Sequence, residues 1–388
     1  MSPSKKRKRS SPPPPSRRSA RLKGQDATAS SSSSSRPTVP PPPHPRRGLS
    51  VLSTDTENSQ TMPKLLSDAV QRISTYSAQG RQHEDKLKPA LEACLEWLPD
   101  EGKVSVARDI LATTTDEDLH QVFFNLLTAL VMPMKTRSHA GSVTSSPHPH
   151  RQAAEEAVAS TLDQPPEREN RFRNDCLRRD DYRSVASGLL DHDTYLERGR
   201  PQGVGSARLT VAHIVPFSYG SWSTATVQPH TSTIWEALLR CFPDIRRIGF
   251  TPESINDVRN GMTMDVALHI SFDSFALAFK STDTPNMYEC MKFRGFTTSD
   301  ANYLPDNGVI VLKQAPGTED LPLPSPVLLD CHYRLAEILN ASGMGDVIDE
   351  HWRRWEELKA TVQHTLRSDG DSDLGNLLRT ALWHRVRT

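Results

Sequence analysis

Two histidines, an asparagine and an aspartate in this sequence have the types and order to act on a phosphodiester. His213 stands in "TVAHIVPFS", a run of β-branched residues that Pro216 stops, so it belongs at the end of a strand. His269 stands in "DVALHISFDSFALAF", which reads as helix; Asp273 follows at i+4, where both side chains could reach one cation. On that helix His269, Phe272, Ala276 and Phe279 share a face, so the histidine continues a core-directed stripe. Between the two histidines, Asn260-Gly261 has tight-turn chemistry, and an asparagine there can bond backbone groups and fix the His213 strand. Phosphodiester hydrolysis needs a base that activates water beside the phosphorus and a cation that neutralises the phosphate and the leaving oxygen. Either histidine taken alone is better read as structural; the set in order points to chemistry.

The elements that would position these residues follow from periodicity. Residues 62–135 read as helices, above all "TTTDEDLHQVFFNLLTALVM", where Thr115 can cap and Leu119, Val122, Phe123, Leu126, Leu127 and Leu130 form one stripe. Residues 136–168 have linker composition, with a short helical stretch around Ala153–Ala159; His148 and His150 in it are expected to be solvated rather than to bind metal. "CLRRDDYRSVASG" suggests two short strands and a turn, residues 233–249 a helix as far as Pro243, and "GVIVLKQA" a later strand. A last helical region spans about Pro326 to Ala360. Helical and strand segments therefore predict an α+β fold.

The formal charge of zero conceals an asymmetry. Residues 1–48 hold 12 Lys or Arg against Asp26 alone, and the rest of the chain is acidic by about as much. Nucleic-acid affinity in the body must then come from a local basic patch, to which the tail can add a salt-sensitive phosphate contact. Five scattered cysteines, none in a CxxC pair, argue against a disulfide scaffold or a four-cysteine zinc site. The start lacks an apolar targeting core and no long apolar run follows, so neither secretion nor a membrane partner is expected.

With "RNDCLRRDDYRSVASG", "AHIVPFS", "INDVRNGMTM" and "LHISFDSFALAF" in this order, residues 172–280 resemble the HNH endonuclease family. The likeness is to its branch with an "AHI-x-P … NG … H-x-x-F-D" pattern, found in many fungal proteins. Composition and periodicity divide the chain into a disordered basic Pro/Ser-rich tail (1–60), a helical accessory region (61–135), a linker (136–169), an HNH nuclease-like domain (170–320) and a C-terminal helical region (321–388). The resemblance implies a ββα-metal (HNH/His-Me finger) nuclease module with flanking α-helical regions. It implies His213 as general base, Asn260 as the residue that orients the loop, and His269 as a ligand of Mg²⁺ or Mn²⁺ more readily than Zn²⁺, with Asp273 beside it and DNA as substrate. Arg259 is a candidate phosphate contact. Two positions depart from the family. Ala212 stands where many members carry Asp or His as a metal ligand, which leaves open a degenerate module that binds nucleic acid or protein without cleaving. The expected "RCxxTG" reads "RSVASG", with Ser184 and Ser187 taken as a packing change.

Lys5, Lys6, Arg7, Lys8 and Arg9 form a basic run in a Pro/Ser-rich tail, the pattern of a nuclear-import signal read by an import receptor; without import the chain would be cytoplasmic. A fluorescent fusion lacking residues 1–24 is expected to lose nuclear accumulation. Unchanged accumulation on deletion would remove the signal from consideration.

Overall fold

In the computed structural model, residues 62–135, 144–159, 170–220, 228–350 and 353 are described. The basic run Lys5–Arg9, residues 136–143 and 160–169 of the linker and the chain after residue 350 (Arg353 apart) lie outside them. The architecture mixes helices with three small sheets.

The chain opens with helices: α1 (Met62–Ser74), α2 (Glu84–Trp97), α3 (Asp100–Leu111) and α4 (Asp116–Asn125). A π-helical segment (Leu126–Val131) joins α4 to α5 (Met132–Lys135). The cap on α4 is the one its sequence predicts: Thr115 accepts from Asp118 N–H while Asp118 reaches back to Thr115. α6 (Pro149–Ala159) then packs on α9 (Gln228–Cys241), and α10 (Pro243–Arg247) follows after Pro243 breaks the helix. A buried ionic cluster ties these helices together. Arg240 bonds Asp109 at 2.7 Å and Asn125 at 3.0 Å, and Arg151 bonds Asp109 at 3.1 Å. Burial would raise the Asp109 pKa, but Arg240 and the neighbouring cations outweigh it and hold the carboxyl at about 2. His148 belongs to the same cluster, contrary to the solvated state expected of it. It is buried, with Nε2 2.8 Å from the Asp109 carbonyl, and stacks on the exposed His150.

Downstream come α7 (Asn170–Arg179), β1 (Leu190–Asp191), α8 (His192–Glu197), β2 (Ser206–Ala207), β3 (Leu209–His213), β4 (Gly261–Asp265) and α11 (Val266–Asp273). After these, β5 (Leu277–Ser281), β6 (Met287–Lys292) and β7 (Val309–Val311) form an antiparallel sheet in that order, with α12 (Thr298–Ala301) between β6 and β7 and α13 (Pro326–Ser342) last. The chain is helical again over 344–350. One continuous apolar core runs from Leu65 to Ile348, so the N-terminal helices, α13 and the strands share an interior.

Three expectations are corrected. The stretch from Asn170 to Arg179 is helix, not strand: Phe172, Cys176 and Arg179 recur at helical spacing and bury one face, a pattern masked by the charges between them. The helix bearing His269 ends at Asp273, because Phe275 turns left-handed (φ 61°) and the apolar run after it pairs with β6; Ala276 and Phe279 therefore do not share a helical face with His269. Asn260-Gly261 is no tight turn joining β3 to β4, since residues 214–260 lie between the strands and Gly261 is extended (φ −125°). The glycine is required for space instead. A Cβ there would stand 2.6 Å from both the Cys176 sulfur and the Phe172 ring.

Gly261→Ala is therefore expected to destabilise the fold by about 1–3 kcal/mol through overpacking against α7. Urea midpoints of wild type and variant measure it; equal midpoints would mean that α7 does not press on β4 as described.

Candidate functional site

The residues expected to carry chemistry sit at the end of β3 (His213), in the 3₁₀ turn before β4 (Asn260) and on α11 (His269 and Asp273). β3 and β4 pair antiparallel with His213 opposite Gly261, and α11 begins at the last residue of β4. Asp265 caps α11 by accepting from Leu268 N–H, and its other oxygen accepts from the hydroxyls of Ser184 (3.1 Å) and Ser187 (2.9 Å). The two serines of "RSVASG" thus anchor the start of the helix that carries His269, which is more than a packing change.

Asn260 is fully buried and holds the loop after His213. Its side-chain oxygen accepts from Val215 N–H at 2.8 Å, and its amide donates to the carbonyls of Val215 (3.0 Å) and Ile255 (2.9 Å). It does not line the cleft in which the other residues meet. That cleft, of about 450 Å³, takes His213, His269 and Asp273 into its wall.

Each histidine has a ring partner that the sequence alone does not reveal. His213 stacks on Phe172 of α7, with centroids 4.3 Å apart, and its Nε2 lies 3.3 Å from Asn256 Oδ1. With Nε2 as donor to this amide oxygen, the neutral ring carries its lone pair on Nδ1. His269 Nδ1 lies 2.6 Å from Thr210 Oγ1, and its Nε2 is 3.1 Å from Asp273 Oδ2. Thr210, Asn256 and Phe172 all line the cleft. Thr210 and Asn256 lie inside the quoted motifs, yet their roles depend on tertiary pairing that no spacing reports.

Arg259 is not available as supposed for phosphate: Asp257 grips its guanidinium at 2.6–3.1 Å and raises its pKa. Arg173 is the better placed cation. It is exposed on α7, lines the cleft and forms no ion pair with another described residue. Ala212 is fully buried, and among the described residues no group of three His, Cys, Asp or Glu side chains converges on one point. No helix among them is long and apolar enough to cross a membrane.

Residues 185–280 match a family model described as HNH endonuclease. This segment is an HNH endonuclease domain. It runs from the turn before β1 to the end of β5 and so includes His213, Asn260, His269 and Asp273. α7, α13 and the N-terminal helices lie outside the matched HNH segment. No curated protein and no solved structure matches the chain.

Asn260→Ala would strand three backbone groups around the HNH loop, each costing about 1–3 kcal/mol when left buried without a partner. Chemical denaturation should show a clearly lower midpoint. A midpoint within error of wild type would show that the loop after His213 does not depend on Asn260.

Proposed function

We propose that the protein is a metal-dependent endonuclease of ββα-metal type that hydrolyses phosphodiester bonds in DNA. The observation that carries this reading is the shared cleft: His213 and the His269–Asp273 pair face one cavity, with Asn256 and Thr210 fixing their rings.

The donor set suits a small hard cation. Two neighbouring ligands of an octahedral ion with bonds of about 2.1 Å stand about 3 Å apart, and His269 Nε2 and Asp273 Oδ2 are 3.1 Å apart. Two protein ligands accord with Mg²⁺ or Mn²⁺, which keep several waters, better than with zinc, which takes three or four nitrogen or sulfur ligands. The hydroxyl of Thr210 can accept as well as donate, so it holds the His269 ring whether Nε2 bears a proton or turns its lone pair outward. Bound there, the cation would supply the positive charge that phosphate and leaving oxygen need.

The chain's own residues do the rest. Asn256 accepts the His213 Nε2 proton, and stacking on Phe172 fixes the ring plane. The His213 imidazole then takes a proton from water as the water oxygen bonds to phosphorus. The P–O bond to the leaving oxygen breaks, and its electron pair stays with that oxygen. The oxygen takes a proton from solvent to give a phosphate monoester and a free hydroxyl, and His213 returns its proton to solvent. Arg173 at the cleft holds a substrate phosphate, and Asn260 keeps the loop after His213 in place. The basic tail, read as an import signal, would bring this activity to nuclear DNA.

The burial of Ala212 favours a second reading, a degenerate module that binds nucleic acid or protein without cleaving it. Plasmid nicking in Mg²⁺ or Mn²⁺ decides between the two. His213→Ala is expected to lower the rate by about 10²–10⁴-fold, and calorimetric Mn²⁺ binding should be lost in His269→Ala. Equal cleavage by wild type and His213→Ala would dismiss the proposed base. A wild type that neither nicks DNA nor binds Mn²⁺ would establish the degenerate module, and cleavage of RNA alone would replace the substrate.

A further inference from the structure

His332 lies on α13, outside the matched segment, yet it forms part of the cleft wall with His269 and Asp273. Its ring is 2 % exposed and is sandwiched between two phenylalanines. Phe272 stacks on it with centroids 3.7 Å apart and planes 7° apart; Phe275 does so at 4.2 Å and 10°. Nε2 is 3.1 Å from the Phe272 carbonyl. A carbonyl only accepts, so Nε2 carries the hydrogen, and burial, which pushes the imidazole pKa down to about 3, keeps the ring neutral. Nδ1 is then a bare acceptor, and it has no hydrogen-bond partner among the described residues.

That unpaired nitrogen shows what the residue is not for. A buried unsatisfied acceptor costs about 1–3 kcal/mol, and a phenylalanine would fill the same slot between two aromatic rings without that cost. What imidazole adds over phenylalanine is the single N–H bond to the Phe272 carbonyl. That carbonyl already accepts from Phe275 N–H at 2.9 Å, so the bond is not needed to satisfy it. Its effect is on position. The Phe272 carbonyl belongs to the peptide linking Phe272 to Asp273, in the last turn of α11, three residues beyond His269. Directly afterwards the chain enters the left-handed conformation at Phe275, which is costly for a bulky residue, and the same imidazole covers that ring.

We propose that His332 is a positioning residue of the cleft, whose clamp on the ring and carbonyl of Phe272 sets Asp273 against His269. The proposal rests on the reading of His269 and Asp273 as the cation pair, and extends the working site to a helix that the family match does not include. His332 acts only through α11.

The test uses the full chain and Mn²⁺ as probe. His332→Phe keeps the aromatic stack and removes both nitrogens; His332→Gln restores a donor near the Nε2 position. His332→Phe is expected to keep or raise the thermal midpoint and to weaken Mn²⁺ binding in calorimetry by about 10-fold or more, the scale seen when outer partners of a metal ligand are lost. His332→Gln should recover part of that affinity. A long-range ¹H–¹⁵N spectrum of the wild type should show His332 as the Nε2–H tautomer. Mn²⁺ affinity within twofold of wild type in His332→Phe, or in the donor-free His332→Leu should the first variant not fold, overturns the proposal, as does an Nδ1–H tautomer. If the wild type binds Mn²⁺ and His332→Phe does not differ, only the role of His332 falls. If the wild type binds none, the cation reading falls with it.

Discussion

The ion pair between Arg179 and Asp180 is the constraint on which the site depends. Both side chains are buried, and the guanidinium meets the carboxylate through Nε at 2.7 Å and a terminal nitrogen at 2.9 Å. The remaining donors reach the carbonyls of Val258 and Gly261, each at 2.8 Å, and of Pro322 at 3.2 Å. Asp180 in turn accepts from Thr263 N–H in the middle of β4. One residue pair thus fixes the end of α7, the turn before Asn260, the start of β4 and the approach to α13. A buried pair of this kind adds little net stability against an apolar substitute, but removing one partner costs about 3–5 kcal/mol. Its contribution here is registration: it sets β4 against α7, and so Phe172 against His213.

From that knot outward the polar contacts form two branches. One passes through Asn260 to Val215 and Ile255 and sets the loop after His213. The other runs along β4 to Asp265, which gathers Ser184 and Ser187 and caps α11, with His269 and Asp273 on it. The two histidines are therefore held by different contacts on a common strand, and each has its own ring partner. This economy explains how a narrow two-stranded ribbon presents a defined cleft: it packs against α7 and α11, and α11 in turn packs on β5, which α13 covers.

How much of this was legible in the sequence follows from the range of each interaction. The strand ending at His213, the cap of α4 and the i+4 relation of His269 to Asp273 are local, and local patterns report them. The helix at Asn170–Arg179 was misread because its apolar residues are few among arginines and aspartates. The end of α11 was missed because "ALAF" suits a helix or a strand, and pairing with β6 decides between them. Gly261 was noticed for the wrong reason: its backbone is ordinary, and the demand comes from Phe172 and Cys176, 85 or more residues earlier in the chain. Thr210, Asn256 and His332 have no signature at all, since each is defined by a partner that folding supplies.

The long interval between β3 and β4 also bears on how the site comes into being. Residues 214–260 include α9, which buries itself against α3, α6 and the π-helical segment, and α10, which packs on α9 and α13. Closing the ribbon waits on that excursion, so the pairing of Leu209–His213 with Gly261–Asp265 is a high-separation event set among helices that form from neighbouring residues. The stretch matched by the family model packs on residues outside it: Arg179, Phe172 and α13 all lie beyond its ends. The cleft is a property of the assembled chain.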